Sequence, residues 1–397
     1  MKIGVIGGGP SGMMAAFAAA EKNQVVLYEK NEKLGKKLFL TGKGRCNLTN
    51  YTEVKDFFKN IVRNKKFAYS SIFTLDPFMT ISLFESFGIT LKIERGNRVF
   101  PKSDKSSDVI KAYEKMLESR KVKILLNNEV KSLEKKDKFI INNKDKFDKI
   151  IIATGGVSYK STGSTGDGYE FAKSFNINLV ERKQALCGAL TNEPLDLSGL
   201  SLKNVSVRAE DSGKIICEEF GEMLFTHSGV SGPIILTLSS KINRLKNIKL
   251  FLDLKPAMNY LTLDRRILRD FEKYSNKEIK NALIDLLPKD LITYVLLRAK
   301  IPDNKKVNQI TKEDRQSLIK IIKNFDLDFK ELEDIDRSII TSGGIDTREV
   351  NPHTMEANKV NGLYFVGEVL DMDALTGGFN IQLANSTGYL CGININD

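Results

Sequence analysis

The hydrophobic pattern near the start of the chain changes period twice. Ile3–Ile6 is a short β-branched run, residues 13–20 are Met, Ala and Phe, and Val25–Tyr28 is a second apolar run closed by Glu29. The spacing predicts strand, helix, strand, a complete β-α-β unit. Ile3 to Ala20 carries no charge and is long enough to resemble a membrane span or signal core. Its interior, Gly7-Gly-Gly-Pro-Ser-Gly12, would break such a helix, so no transmembrane or targeting segment is expected.

Further along, "DKIIIATGG" (Asp148 to Gly156) predicts a buried parallel strand ending in a turn. "NGLYFVGEVLDMDALTGGFNIQLANSTGYLCG" (Asn361 to Gly392) predicts another strand with Gly367-Glu368 at its carboxyl end, then Gly377-Gly378 and a final helix. Between these, Leu186 to Pro256 alternates apolar and polar positions, as in "SVRAEDSGKIICEEF", and predicts a β-rich stretch. Ala257 to Asp336 has helix-period apolar positions among charges. Phe and Tyr follow the apolar periods throughout and read as core rather than as a base-stacking platform.

The first β-α-β unit carries chemistry. In Gly7-x-Gly9-x-x-Gly12, Gly7 makes the tight turn, Gly9 lets backbone approach a pyrophosphate, and Gly12 lets helix pack on strand. The helix N-terminus presents free N–H groups and a positive dipole end to phosphate. Glu29, placed ~17 residues beyond Gly12, suits ribose hydroxyls. These features leave FAD and NAD both open. Ligands of open α/β sheets sit at strand carboxyl ends, so the segments at Gly7, Ala153-Thr154-Gly155-Gly156 and Gly367 converge on one extended dinucleotide. A helix start at Gly377 to Asn380 would face the negative charge of a reduced flavin ring. No second strand-GxGxxG-helix unit follows. "TGSTGDG" (Thr162 to Gly168) reads as a flavin-facing loop, so NAD(P)H as reductant would bind without a nucleotide domain of its own.

Composition narrows the class. The 397 residues are 41% hydrophobic and 28% charged, those of a folded protein with room for two or three domains. Four scattered cysteines (46, 187, 217, 391) and two histidines suggest neither a metal site nor a disulfide framework, and fit a reducing cytoplasm. The pattern carries no signal for oligomeric state. The formal net charge is +11, and from Lys30 to Lys66 eleven Lys/Arg stand against three acids. This excess permits an anionic partner such as nucleic acid. It surrounds "TGKGRCNLTN" (Thr41 to Asn50), a bare basic loop with one thiol.

Five blocks, "GGGPSGMMAA", "KLGKKLFLTGKGRCNLTN", "ATGG…STGSTGDGYEFA", "GEMLFTHSGVSGPIIL" and "LYFVGEVLDMDALTGGFNIQLANSTG", resemble in order the BaiN/RdsA family of NAD(P)H/FAD-dependent oxidoreductases. The resemblance implies an α/β fold. A Rossmann-like FAD-binding domain of the two-dinucleotide-fold type (1–186 plus 338–397) would be interrupted by a β-rich, barrel-like insert (187–256) and a helical insert (257–337) that lids the flavin. It implies FAD contacts at Gly7, Gly9, Pro10, Ser11, Gly12, Glu29, Lys30, Lys37, Thr41, Gly42, Gly44, Arg45, Cys46, Asn47 and Val130. Further contacts are implied at Ala153, Thr154, Gly155, Gly156, Gly367, Glu368, Asp371, Gly377, Gly378, Phe379, Asn380 and Ile381.

In related folds the loop after the second strand runs beside the flavin ring, which makes Cys46 a candidate general acid. Arg45 and Lys43 are expected to lower its thiol pKa. His227 is a second, weaker candidate. The activities implied by the resemblance are reduction of a conjugated enone in a steroid acid and reduction of uridine to dihydrouridine in ribosomal RNA. The basic segment favours RNA as substrate. A small-molecule ene-reductase, an amine oxidase, or a flavoprotein that docks on RNA without turnover are the alternatives.

Overall fold

Strand β1 (Lys2–Ile6) lies at the centre of a five-stranded sheet with β2 (Gln24–Tyr28), β3 (Lys123–Leu125), β4 (Lys149–Ile152) and β5 (Leu363–Phe365). The order is β5-β4-β1-β2-β3, and every neighbouring pair is parallel. The computed structural model describes residues 1–193 and 195–395. The register places Leu125, Tyr28, Ile6, Ile152 and Phe365 in one row across the sheet. All five carboxyl ends therefore stop at the same edge, and the segments that follow β1, β2, β4 and β5 emerge side by side.

Helix α1 (Pro10–Ala19) has Pro at its first position, where a missing N–H costs nothing, and is buried from Ser11 to Ala19. An all-apolar helix must be covered on every side. The sheet covers one side of α1, and α2 (Phe379–Asn394) covers another. Contact between the helices is backbone to backbone. A Cβ built at Gly388 would lie 2.3 Å from Ser11 O, and one at Gly392 would lie 2.5 Å from Ala18 Cβ. Because Gly388 meets Ser11 and Gly392 meets Ala18, the two helices run in the same direction, with their N-termini toward the sheet's carboxyl edge.

Two compact units result, Met1–Ala185 with Asp334–Asp397, and Leu186–Glu333. The chain leaves the first along Leu179–Ala185 and returns along Ile340–Ile345, which pair antiparallel. The second unit has one apolar core. Its seven-stranded antiparallel sheet includes the hairpin Ser201–Asp211 and Lys214–Thr226. The stretch expected to be purely helical, 257–337, does contain Tyr260–Lys273, Lys289–Ala299 and Lys312–Lys323. Its last part, however, returns to the sheet as Phe325–Asp326 and Phe329–Leu332, against Ile248–Asp253 and Ala189–Thr191. The β-rich and helical stretches thus share a core, which local periodicity does not reveal. Among the described residues no helix is long and apolar enough to cross a membrane.

Gly388→Ala is expected to force α1 and α2 apart and to lower unfolding free energy by about 1–3 kcal/mol, the usual cost of overpacking. Urea denaturation of the purified protein checks this, and an unchanged midpoint would show that the helices have slack.

Candidate functional site

Each strand end delivers a piece of one site. After β1, Gly7 adopts φ +110°, and a Cβ there would sit 2.4 Å from Ala153 O, in the turn after β4. A Cβ at Gly12 would lie 1.9 Å from Gly7 O. Both glycines are demanded by the fold. Gly9 differs, because its backbone is ordinary (φ −81°, ψ −179°) and a Cβ there would meet nothing within 4 Å. Space is open above Gly9, at the start of a helix whose N-cap offers no side-chain hydrogen bond.

After β2, the Glu29 carboxylate accepts the Gly8 N–H (2.8 Å), the Asn31 N–H (2.8 Å) and the Asn31 side-chain amide (2.7 Å). It is buried and fixed against the glycine turn, with acceptor capacity left for hydroxyls. Asn128 N–H donates to Glu29 O, which brings the loop carrying buried Val130 to the same end. Lys30 is committed to Asp167 (2.5 Å), and Asn31 donates to Thr162 O (3.0 Å). The "TGSTGDG" loop therefore borders the Glu29 end of the site. After β4, Thr154 Oγ1 is buried without a partner and Gly155 has φ +73°. At Gly156 a Cβ would clash with Thr341 Oγ1 at 2.3 Å.

After β5, Gly367 (φ +77°) packs on Ser11, where a Cβ would sit 2.3 Å from its Oγ. Glu368 accepts both from Lys37 (2.9 Å to each oxygen) and from Thr341 N–H (2.9 Å), and Lys37 also donates to Ser158 Oγ (2.7 Å). Asp371 is held by a bidentate Arg63 fork, 2.7 Å and 2.7 Å, and by Asn64. Breaking such a nearly buried pair costs about 3–5 kcal/mol, because an unpaired carboxylate would remain inside. Asn380 closes the 374–380 loop by accepting from Ala374 N–H and donating to Ala374 O. Gly377 and Gly378 have φ +127° and +97°, and a Cβ at Gly378 would lie 2.4 Å from Thr49 O. Asn50 donates to Gly377 O (3.0 Å). Helix α2 begins here at Phe379, Asn380 and Ile381, again with no side-chain cap.

Residues 36–50 join these pieces. Lys36–Gly44 is a 3-10 run in which Thr41 Oγ1 donates to Leu38 O, and Gly42 and Gly44 take φ +57° and +86°. Asn47 Oδ1 is buried without a partner. Cys46 corrects one expectation. It has no exposure, lies in the apolar core, and burial pushes its thiol up to about 12 rather than down. Arg45 does not offset this, since its guanidinium pairs with Glu94 (2.9 Å) and Asp104 (3.3 Å) and lies 4.1 Å over the Phe100 ring. The side chain of Lys43 lies outside the described residues. His227 is exposed on the two-residue turn between Lys214–Thr226 and Gly229–Ser231, in the 186–333 unit.

The glycine turn, the 36–50 loop and the 367–381 loop are thus brought together by Ser11 against Gly367, Lys37 to Glu368 and Asn50 to Gly377. The sequence shows Arg63 only as one of eleven cations in the basic segment, and gives no signal for Asn64, Ser158 and Thr341, whose partners lie far along the chain. The basic segment is also less basic than its composition. Among the described side chains of this segment, Lys30, Lys36, Lys37, Arg45, Lys59 and Arg63 are in ion pairs.

This arrangement has relatives. The HI0933-like protein Rossmann domain family matches residues 1–394. A 3-dehydro-bile acid delta(4,6)-reductase of Clostridium scindens is 32% identical, over 98% of this chain and 98% of its own. Ribosomal RNA dihydrouridine synthases of Haemophilus influenzae and Escherichia coli are 29% and 30% identical over 98% of this chain, and 97% and 96% of theirs. A 3-ketosteroid delta1-dehydrogenase from Sterolibacterium denitrificans shares the fold with a TM-score of 0.52 at 12% identity, covering 99% of this chain and 98% of that one. Since one family model spans nearly every residue that builds the site, the chain belongs to the HI0933-like family, the BaiN/RdsA group its motifs resemble, and is an oxidoreductase with a Rossmann-type FAD-binding domain.

Proposed function

We propose that the protein reduces a carbon–carbon double bond conjugated to a carbonyl, with FAD as cofactor, NAD(P)H as electron source and a uridine of 23S ribosomal RNA as leading substrate. The observation that carries the reading is the pair of uncapped helix N-termini at Gly9 and Gly378, on parallel neighbouring helices. Each leaves first-turn N–H groups and a positive dipole end for an anionic group. The open space at Gly9 and the orphaned Asn47 Oδ1 fit a polar ligand.

In this reading Gly7 to Gly12 hold the pyrophosphate, Glu29 and the Val130 loop hold the adenosine end, and Gly42 to Asn47 with Gly377 to Ile381 hold the flavin ring. Lys37, Glu368 and Asp371 orient the loops around it. FAD, when bound, supplies hydride acceptance from a nicotinamide and hydride delivery to an electron-poor carbon. The chain's part is to fix the ring, favour its negative charge with the α2 N-terminus, and provide a proton. Cys46 is not the donor, because giving up its proton would leave a thiolate in an apolar core.

Uracil C5=C6 is conjugated to the C4 carbonyl as in an enone, so one active site chemistry serves either substrate class. Lys55, Lys65, Lys66, Lys102 and Lys105 are exposed and unpaired with any described acid, and they favour a polyanion. The 32% identity to a bile acid reductase supports a steroid enone as the second reading.

The deciding experiment reduces FAD-loaded protein anaerobically with NADPH or NADH, then adds protein-free ribosomal RNA or a 3-oxo-4-ene steroid while the visible flavin absorbance is followed. Recovery of absorbance with RNA, and dihydrouridine in its digest, is expected. Recovery with the steroid alone moves the substrate to enones, and no bleaching by either nicotinamide removes NAD(P)H. Gly9→Ala should leave the apo-protein's melting unchanged yet weaken FAD binding by about tenfold or more, as titration would show; full FAD retention would place the cofactor elsewhere. In the native protein Cys46 should resist iodoacetamide at mildly alkaline pH, while half-exposed Cys217 labels first. The folded Cys46 pKa is raised above the unfolded value of about 8.5. Its contribution to stability is therefore complete below that value and lost as pH rises toward 12. Cys46→Ala should flatten this alkaline decline, and rapid native labelling of Cys46 would contradict its burial.

A further inference from the structure

Most aromatic side chains are core, as their periods predict, but Tyr51, Tyr69, Phe73, Phe220 and Tyr260 are exposed, and Tyr69 and Phe73 lie side by side. Tyr69 and Phe73, one turn apart on the helix Tyr69–Thr74, are 42% and 64% exposed. Their rings are nearly parallel, at 16° with centroids 6.3 Å apart. Buried Phe58 supports them from below, 4.3 Å from Tyr69 and 6.1 Å from Phe73. Phe57, beside Phe58, packs 5.1 Å from Phe379, the first residue of α2. The same segment is tied to the flavin-site loop, because Leu375 N–H donates to Asn60 O and Val62 N–H to Asp373 O. Two exposed rings are therefore braced against the loop that leads to Gly377 and Gly378.

The charge around the rings is cationic. Lys65 and Lys66 are exposed in the turn just before the helix, and Lys55 is exposed on the preceding one. Of the acids on this stretch, Asp56 is neutralised by Lys59 (2.6 Å), and Glu53 remains exposed. A protein partner would select against lysine at its contact. Flat ring faces beside uncompensated cations match the bases and phosphates of a single strand.

We propose that Tyr69 and Phe73, with Lys65 and Lys66, form a docking surface for an unpaired segment of RNA, whose bases stack on the rings while its phosphates meet the lysines. The proposal rests on the ribosomal RNA reading above and adds where the substrate is gripped. Stacking is sequence-tolerant, so this surface supplies affinity and placement, while the site at the sheet edge selects the uridine.

The test uses the FAD-loaded full chain and a fluorescein-labelled oligouridylate of about a dozen nucleotides, a length suited to such surfaces. Tyr69→Leu with Phe73→Leu keeps apolar cover over Phe58 but removes the flat faces. It should weaken binding by about tenfold or more, with FAD content, reduction by NADPH and circular dichroism unchanged. Lys65→Gln with Lys66→Gln should lower the slope of log affinity against log salt by about 1 to 2. If the leucine variant binds oligouridylate and modifies ribosomal RNA as the parent does, the docking surface is overturned while the substrate reading stands. If the parent neither binds the oligonucleotide nor modifies ribosomal RNA, the substrate reading itself fails. A change in self-association by sedimentation velocity, with RNA binding intact, would reassign the rings to a second copy of this chain.

Discussion

The unit that holds the cofactor depends on two helices meeting backbone to backbone. Gly388 and Gly392 give up side-chain volume so that α2 can lie against Ser11 and Ala18 of α1. This closeness staggers the helix starts: Gly388, nine residues into α2, meets Ser11 at the start of α1, so α2 begins ~13 Å further out on the carboxyl side of the sheet. It also presses Gly367 onto Ser11, so the turn after β5 is located by the first turn of α1. With neither N-terminus capped by a side chain, the fold retains two unsatisfied, positively polarised ends. A bound dinucleotide is what such ends stabilise.

Three ion pairs act as long-range cross-links around the site. Lys37 joins the 36–50 loop to Glu368, Arg63 joins the 57–63 segment to Asp371, and Lys30 joins the end of β2 to Asp167. Each tie spans more than a hundred residues of sequence and is partly shielded from solvent, where pairing is stronger than at an exposed surface. A net charge of +11 therefore says less about the outer face than about what remains once these pairs are removed. Near the site, Lys55, Lys65, Lys66, Lys102 and Lys105 are exposed and outside these pairs.

Local patterns made much of this legible. The β1-α1-β2 unit, the β4 and β5 strands and the glycine turns at 7–12 and 377–378 all announce themselves within short windows, because period and turn chemistry are local properties. What stayed hidden is what tertiary packing decides. The basic neighbours of Cys46 argued for an activated thiol, but burial outweighs them and Arg45 is spent on Glu94 and Asp104. Arg63 looked like one more surface cation because its partner is Asp371, with no spacing to reveal the pair. Phe325–Asp326 and Phe329–Leu332 were too short to read as strands amid helical periodicity, so the 186–333 unit looked like two modules. Tyr69 and Phe73 fitted an apolar period and yet face outward.

The discontinuity of the cofactor-holding unit bears on the order in which the chain is made. By the time Ala185 has been synthesised, β1 to β4 and α1 are present, but β5 and α2 are not. Helix α1, apolar on every face, then lacks the partner that covers it, while the whole of 186–333 still has to emerge. That later segment contains every strand of its own sheet and closes its own core first. The middle of the chain can thus close its core before the first unit is complete, and a nascent chain that ends short of α2 leaves α1 partly uncovered.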